Sequence, residues 1–276
     1  MSTVLLLSVS GSPGITTAAV AMTRNWDRPC ILLEADTSKS SAVLSGYLQG
    51  KYSAQKSLIN LALAASSQGH IANNHLWAQL YPLDADNPEE ASQWVLPGLM
   101  DPKGAPSLDR LWGEIMAAAE SFDAAGTDVI IDAGRWALGD RRTALLRSAD
   151  AVLLTARPSL SDAFAIRSRL EDITGALAAV GHPKHLSLLS LDRPASTYGS
   201  EDLARSLKLR LAGSLPWDDT TAAVFSDGHP VLNAKRLEKR PYLRAVRSLN
   251  ASLRNELDDR RALLNESINT ELEELS

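Results

Sequence analysis

One cysteine in 276 residues, Cys30, excludes a disulfide framework and any cysteine-rich zinc or iron–sulfur site within a single chain. It stands directly before Ile31-Leu32-Leu33, so it reads as a buried thiol at a strand start. No apolar run approaches the roughly 18 residues that a membrane-spanning helix needs. The N-terminus has no basic region ahead of its apolar stretch, residues 4–9, and that stretch is too short for a secretion signal. Cytoplasmic residence is therefore the expectation. A net charge of −5 removes any overall electrostatic case for nucleic acid. The five histidines, His70, His75, His182, His185 and His229, lack metal-ligand spacing. There is no internal repeat and no long low-complexity linker. What is left, 45% hydrophobic and 22% charged residues, is an ordinary globular composition, long enough for one large α/β domain or two small ones.

Short apolar runs alternate with helical patterns along the chain. Strands are predicted at residues 3–9, 30–34, 94–96, 128–132, 151–156, 185–191 and 211–214, and helices near 16–25, 107–124, 141–148, 161–180 and 200–207. Several strands are apolar almost throughout, as in a parallel sheet covered on both faces. The pattern predicts an α/β fold, doubly wound, with a mostly parallel sheet and helices on both faces. Residues 53–101 are less regular and are expected to be an elaboration; within them residues 75–83 suit a further strand or a short hairpin. Residues 240–276 read as helix, with Leu249, Leu253 and Leu257 at i+4 spacing and Leu264, Ile268 and Leu272 repeating it. The expected division is a domain over 1–250 and a helical extension over 251–276 with an acidic end.

The stretch Val4-Leu5-Leu6-Leu7-Ser8-Val9-Ser10-Gly11-Ser12-Pro13-Gly14-Ile15-Thr16-Thr17 has the context of a phosphate-binding loop: apolar strand, glycine-rich turn, helix start. The consensus ends Gly-Lys-[Ser/Thr], but here it ends Gly14-Ile15-Thr16. Backbone N–H groups at a helix N-terminus form an anion nest without help from a lysine. Thr16 stands where a Mg²⁺-binding hydroxyl belongs. Losing the lysine removes charge stabilisation from the transition state more than from binding. Two further strands end in carboxylates: Glu34 and Asp36 share one side of a strand by their i, i+2 spacing, and Asp132 ends Asp128-Val129-Ile130-Ile131, the place of a Walker B metal ligand. Strand C-termini are where open α/β sheets bind ligands.

Together these segments resemble the ParA/MinD family of deviant Walker-type P-loop ATPases, a SIMIBI-like P-loop NTPase fold, over about residues 3–250. Gly11-Ser12-Pro13-Gly14-Ile15-Thr16-Thr17 is similar to that family's Gly-Gly-x-Gly-Lys-Thr-Thr, and Glu34-Ala35-Asp36 to its Asp-x-Asp. Residues 127–133 resemble its Walker B segment, and Ala149-Asp150 its Ala-Asp strand opening. Residues 212–218, followed by Gly228-His229-Pro230-Val231, resemble its Gly-x-[Ile/Leu]-Pro-x-Asp and Gly-x-Pro-Val run. The family's two loop lysines fall at Ser10 and Ile15, and Asp192 follows a strand that lacks the asparagine often used to read adenine. Degenerate loops of this form resemble those of actinobacterial MinD-like proteins and the TadZ/CpaE branch.

The resemblance implies ATP or ADP with Mg²⁺, held by Gly11, Ser12, Pro13, Gly14, Ile15, Thr16 and Thr17, with Thr16, Asp36 and Asp132 on the metal and Asp36 as the catalytic carboxylate. It implies a homodimer, and a protein partner in a partition or secretion system. Three modes of action stay open: a nucleotide-binding positioning protein with little or no hydrolysis, an active ATPase using a replacement cation, and a nucleotide-free scaffold. Arg135 is the favoured replacement cation because it follows Asp132-Ala133-Gly134, and Lys39 is the alternative. Lys235, Arg236, Lys239, Arg240, Arg244 and Arg247 form a basic run (235–247) suited to nonspecific DNA. The acidic end lacks aromatics, which argues against a membrane-binding tail.

Overall fold

The computed structural model describes residues 1–11, 14–181, 185–194 and 196–274. Ser12 and Pro13, both expected in the anion nest, lie outside the described residues.

The chain begins with strand β1 (Thr3–Ser8), helix α1 (Ile15–Arg24) and strand β2 (Cys30–Glu34). A π-helical turn at Val43–Tyr47 follows, then α2 (Leu58–Gln68), α3 (Asn73–Ala78), β3 (Tyr81–Pro82) and β4 (Gln93–Leu96). Next come α4 (Trp112–Ala119), β5 (Asp128–Arg135), α5 (Thr143–Arg147), β6 (Ala151–Ala156), α6 (Leu160–Arg167) and α7 (Leu170–Ala178). The chain continues through β7 (Leu186–Leu191), α8 (Ser200–Leu207), β8 (Arg210–Leu215), α9 (Asp219–Ser226), α10 (Ala234–Glu238) and α11 (Pro241–Glu274). The eight strands form one sheet in the order β3-β4-β2-β5-β1-β6-β7-β8. All pairings are parallel except β3 with β4. The expected doubly wound α/β architecture is what the chain adopts.

Strand alternation divides the core in two. Leu5, Leu7, Ile31, Leu33, Val129 and Ile131 face a layer built with α2–α5, α7 and α8. Val4, Leu6, Leu32, Ile130 and Leu153 face α1, α9 and α11. Because both faces are covered, β1, β2, β6 and β7 are buried along their whole length, which explains their predominantly apolar character.

Several element boundaries differ from expectation. Within residues 75–83 the first four belong to α3, which reaches Ala78, and the expected strand is confined to Tyr81 and Pro82, which pair with β4. The helix expected at 107–124 is interrupted: a 3₁₀ segment with Pro106 inside it precedes α4, and another follows it. The helix expected at 161–180 breaks at Arg169, whose φ of −123° leaves the helical region between α6 and α7. α11 runs unbroken through residue 250, with Leu249, Leu253 and Leu257 buried against α1 and β8. The second stripe, Leu264, Ile268 and Leu272, has no described side chains. No described helix is long and apolar enough to cross a membrane.

Candidate functional site

β1 is the central strand of the switch in winding direction, flanked by β5 on one side and β6 on the other. Its C-terminus therefore opens onto the crevice where such sheets bind ligands. β5 carries past it: Ser8 registers with Arg135, and the Trp136 N–H donates to the Ser8 carbonyl at 2.7 Å. Gly14 takes φ +96° to start α1, a conformation that suits glycine. The first-turn N–H groups of α1 have no acceptor inside the helix. Gly14, Ile15, Thr16 and Thr17 line a hollow of about 240 Å³ with Asp36, Lys39, Gly134, Arg135 and, from α9, Phe225 and Ser226. Ser10 lines it too, whereas Gly11 is exposed, with no protein atom within 4 Å of where a Cβ would stand.

The three residues predicted to hold a metal do come together. Thr16 Oγ1 donates to Asp132 Oδ2 at 2.5 Å, and Asp132 Oδ1 accepts from the Gly134 N–H at 2.9 Å. Lys39 Nζ donates to Thr16 Oγ1 at 2.8 Å and stands 3.5 Å from Asp36 Oδ2. Ser38 fixes the other oxygen of Asp36 with its N–H at 3.0 Å and its hydroxyl at 2.6 Å. Gly134, at φ +57°, lies so close that a Cβ there would overlap the Asp36 carboxyl. Burial pushes the Asp132 carboxyl up from its ordinary value, opposed first by the charge of Lys39.

Ile15 is 4% exposed and packs with Val43, Leu44 and Phe225, so an apolar side chain fills the consensus lysine position. Arg135 lines the hollow but is exposed, and its side chain makes no hydrogen bond or ion pair with a described residue. Lys39, the less favoured of the two candidate cations, is the one bonded into the site.

Glu34 does different work from Asp36, contrary to their expected shared side. β2 ends at Glu34, so the two-residue alternation does not extend to Asp36. The Glu34 carboxylate accepts from the Ser41 hydroxyl, from the Ala42 and Val43 N–H groups at 3.1 Å each, and from the Gly98 N–H at 3.2 Å. It anchors the loop that carries Lys39. Burial pushes this carboxyl up as well, against the hydrogen bonds that favour its charged form.

Sequence reasoning missed Arg142. Its guanidinium donates to the carbonyls of Ala35 (2.7 Å), Ala133 (2.5 Å) and Arg135 (2.8 Å) and to both oxygens of Asp140. One side chain thus ties together the two strand ends that present Asp36 and Asp132. An arginine in a loop carries no local sequence signal for such a role.

A second hollow of about 370 Å³ shares Gly14, Thr17 and Ser226 with the first and extends to Leu191, Asp192 and Trp217. The Asp192 carboxylate accepts from the Ser200 and Ser214 hydroxyls at 2.8 and 2.7 Å. Of the basic run, Arg240 is bonded to Asp218 and Thr221, and Arg247 to Asn25. Lys235, Arg236, Lys239 and Arg244 point into solvent. Among the described residues no three or more His, Cys, Asp or Glu side chains cluster to hold a metal; the candidate set is one hydroxyl and two carboxylates.

No protein-family model matches this sequence, and no curated protein matches it. Solved structures do match. The septum site-determining protein MinD of Pyrococcus horikoshii, complexed with Mg-ADP, aligns at a TM-score of 0.64 and 16% identity over 91% of this chain and 96% of that one. A ParA family ATPase from Chlorobium tepidum aligns at 0.65 and 12% over 91% and 98%. A variant of Cyanothece McdA in complex with ATP aligns at 0.67 and 15% over 92% and 96%. At these identities the likeness is one of architecture: the chain has a ParA/MinD-like fold, that of an α/β P-loop NTPase.

Proposed function

We propose that this chain binds ADP or ATP in the hollow above β1 and acts as a positioning or partition protein of the ParA/MinD type, hydrolysing nucleotide weakly or not at all. One observation carries the reading: the first turn of α1, Thr16 and Asp36 line a hollow, with Asp132 bonded to Thr16 behind it, and a buried isoleucine holds the consensus lysine position. The helix N-terminus supplies phosphate binding from backbone groups. The preorganised cation that would stabilise transferring phosphate is absent from position 15, so catalysis suffers more than binding. The second hollow offers room for the nucleoside.

Thr16, Asp36 and Asp132 are hard oxygen donors of the kind Mg²⁺ selects, and they are the residues that would hold it. A bound Mg²⁺ would neutralise phosphate charge. Asp36 is the proposed catalytic carboxylate of any residual hydrolysis. The output is a conformational or dimerisation state, because Asp36 and Lys39 of the loop after β2 line the hollow together with Phe225 and Ser226 of α9, so a bound nucleotide would touch both elements. A second copy of the chain and a protein of a partition or secretion assembly are the proposed partners, with nonspecific DNA at the solvent-facing cations of 235–247 as a subsidiary contact.

Calorimetric titration of ADP and ATP, with phosphate release assayed beside Ile15→Lys, tests this. We expect nucleotide binding by wild type with negligible turnover, and turnover in Ile15→Lys raised by about 10²-fold or more. Binding no tighter than millimolar would favour the nucleotide-free scaffold, and steady turnover by wild type would favour a competent ATPase.

A further inference from the structure

We infer that Lys39 is a built-in counter-cation that occupies the divalent-metal position of the proposed nucleotide site, so that this chain binds nucleotide without needing Mg²⁺. The inference rests on the reading of the hollow as a nucleotide site. Its ground is the direction of the bonds. Thr16 has one hydroxyl proton, and that proton goes to Asp132 Oδ2. The lone pairs left on Thr16 Oγ1 accept from Lys39 Nζ at 2.8 Å. The same ammonium stands 3.5 Å from Asp36 Oδ2. A divalent cation would claim those same oxygens, so metal and ammonium exclude one another.

Lys39 is held there by its loop. Ser38 is bonded to Asp36, the Ser40 hydroxyl to the Met100 carbonyl at 2.7 Å, and Ser41 to Glu34. The residues on both sides of Lys39 are thus anchored, which fixes its backbone within reach of the site. Ile15 contributes no competing charge, and Arg135 stands clear of the carboxylates, so a point charge able to meet phosphate oxygens is already in place beside the α1 N-terminus.

Two measurements decide the matter. The first is Mn²⁺ binding without nucleotide, followed by electron paramagnetic resonance, for wild type and Lys39→Met. The second is ADP calorimetry for both proteins in Mg²⁺ and in EDTA. We expect Lys39→Met to take Mn²⁺ about tenfold or more tighter than wild type, the scale of a charged hydrogen-bonded partner removed. Wild-type ADP affinity should agree within about twofold in the two buffers, whereas Lys39→Met should lose about tenfold or more in EDTA and recover in Mg²⁺. Equal Mn²⁺ binding by the two proteins, or a wild-type ADP affinity that collapses in EDTA, would overturn the inference. Absence of ADP binding in either buffer overturns the nucleotide reading itself, and the Mn²⁺ comparison still decides whether Lys39 holds the metal position.

Discussion

At the scale of single residues, the site depends on buried charges that are fully bonded. Arg142 and Asp140 are each 6% exposed in their side chains, and the guanidinium also satisfies three carbonyls at the ends of β2 and β5. Removing one partner of a buried pair leaves an uncompensated charge, so Arg142→Ala should cost about 3–5 kcal/mol. Chemical unfolding would check that figure, and nucleotide affinity should fall with it because Asp36 and Asp132 lose their brace. The pair also makes a pH prediction. Burial alone would raise the Asp140 carboxyl, but the Arg142 hydrogen bonds and charge hold it below its ordinary value. A folded-state pKa below the unfolded one stabilises the fold fully above about pH 4, and that contribution disappears as pH falls through the folded value. The stability gap between wild type and Asp140→Asn, measured in urea, should therefore be wide at about pH 7 and narrower at about pH 3. Gly134 is constrained both by its positive φ and by the adjacent Asp36 carboxyl. Gly134→Ala should displace Asp36 and weaken nucleotide binding, which the same calorimetry would read.

At the scale of elements, legibility follows burial. β1, β2, β6 and β7 announce themselves because strands covered on both faces are mostly apolar, and Asp132 stands out as the charge that closes the apolar run of β5 three residues before the strand ends at Arg135. The loop–helix start at Gly14 is equally plain, since Gly14 is where a left-handed residue is required. The insertion of β5 between β1 and β2 leaves no local trace, because strand order is decided by contacts distant in sequence. α9 and α10 show no clear periodicity because their short patterns lie among prolines and polar residues. Proximity to Asp132 along the chain favours Arg135 over Lys39, yet the fold of the 38–43 loop bonds Lys39 to Thr16 while Arg135 lines the hollow without bonding to its carboxylates. The apolar stripe of α11 is readable from its spacing and gives a prediction at this scale. Leu253 is buried in the layer with α1, so Leu253→Ala should cost about 2–5 kcal/mol, while Leu63→Ala on the exposed face of α2 should stay within about 0.5 kcal/mol. Thermal unfolding of the two variants distinguishes a helix that closes the core from one that merely lies on it.

At the scale of the whole molecule, the segments that follow the two strands beside β1 carry exposed apolar groups. Leu138 follows β5 and is 71% exposed; Leu160 and Phe164 open α6, directly after β6, and are 55% and 69% exposed. β5 and β6 are the two neighbours of β1, so the segments that carry these side chains follow the strands on either side of it. Exposed apolar groups of this size are a usual mark of a protein contact, and the proposed second copy of the chain would cover them. Nucleotide should then favour association, because its charge fills the space that two copies would face across. Sedimentation velocity should show a concentration-dependent dimer in ADP or ATP and mostly monomer without it. Phe164→Glu, which places a carboxylate on the contact and leaves the lining of the hollow untouched, should remain monomeric in nucleotide while its affinity at dilute concentration stays within about twofold of wild type. Identical sedimentation of wild type and Phe164→Glu under both conditions would place the dimer contact elsewhere and leave this edge to a different partner.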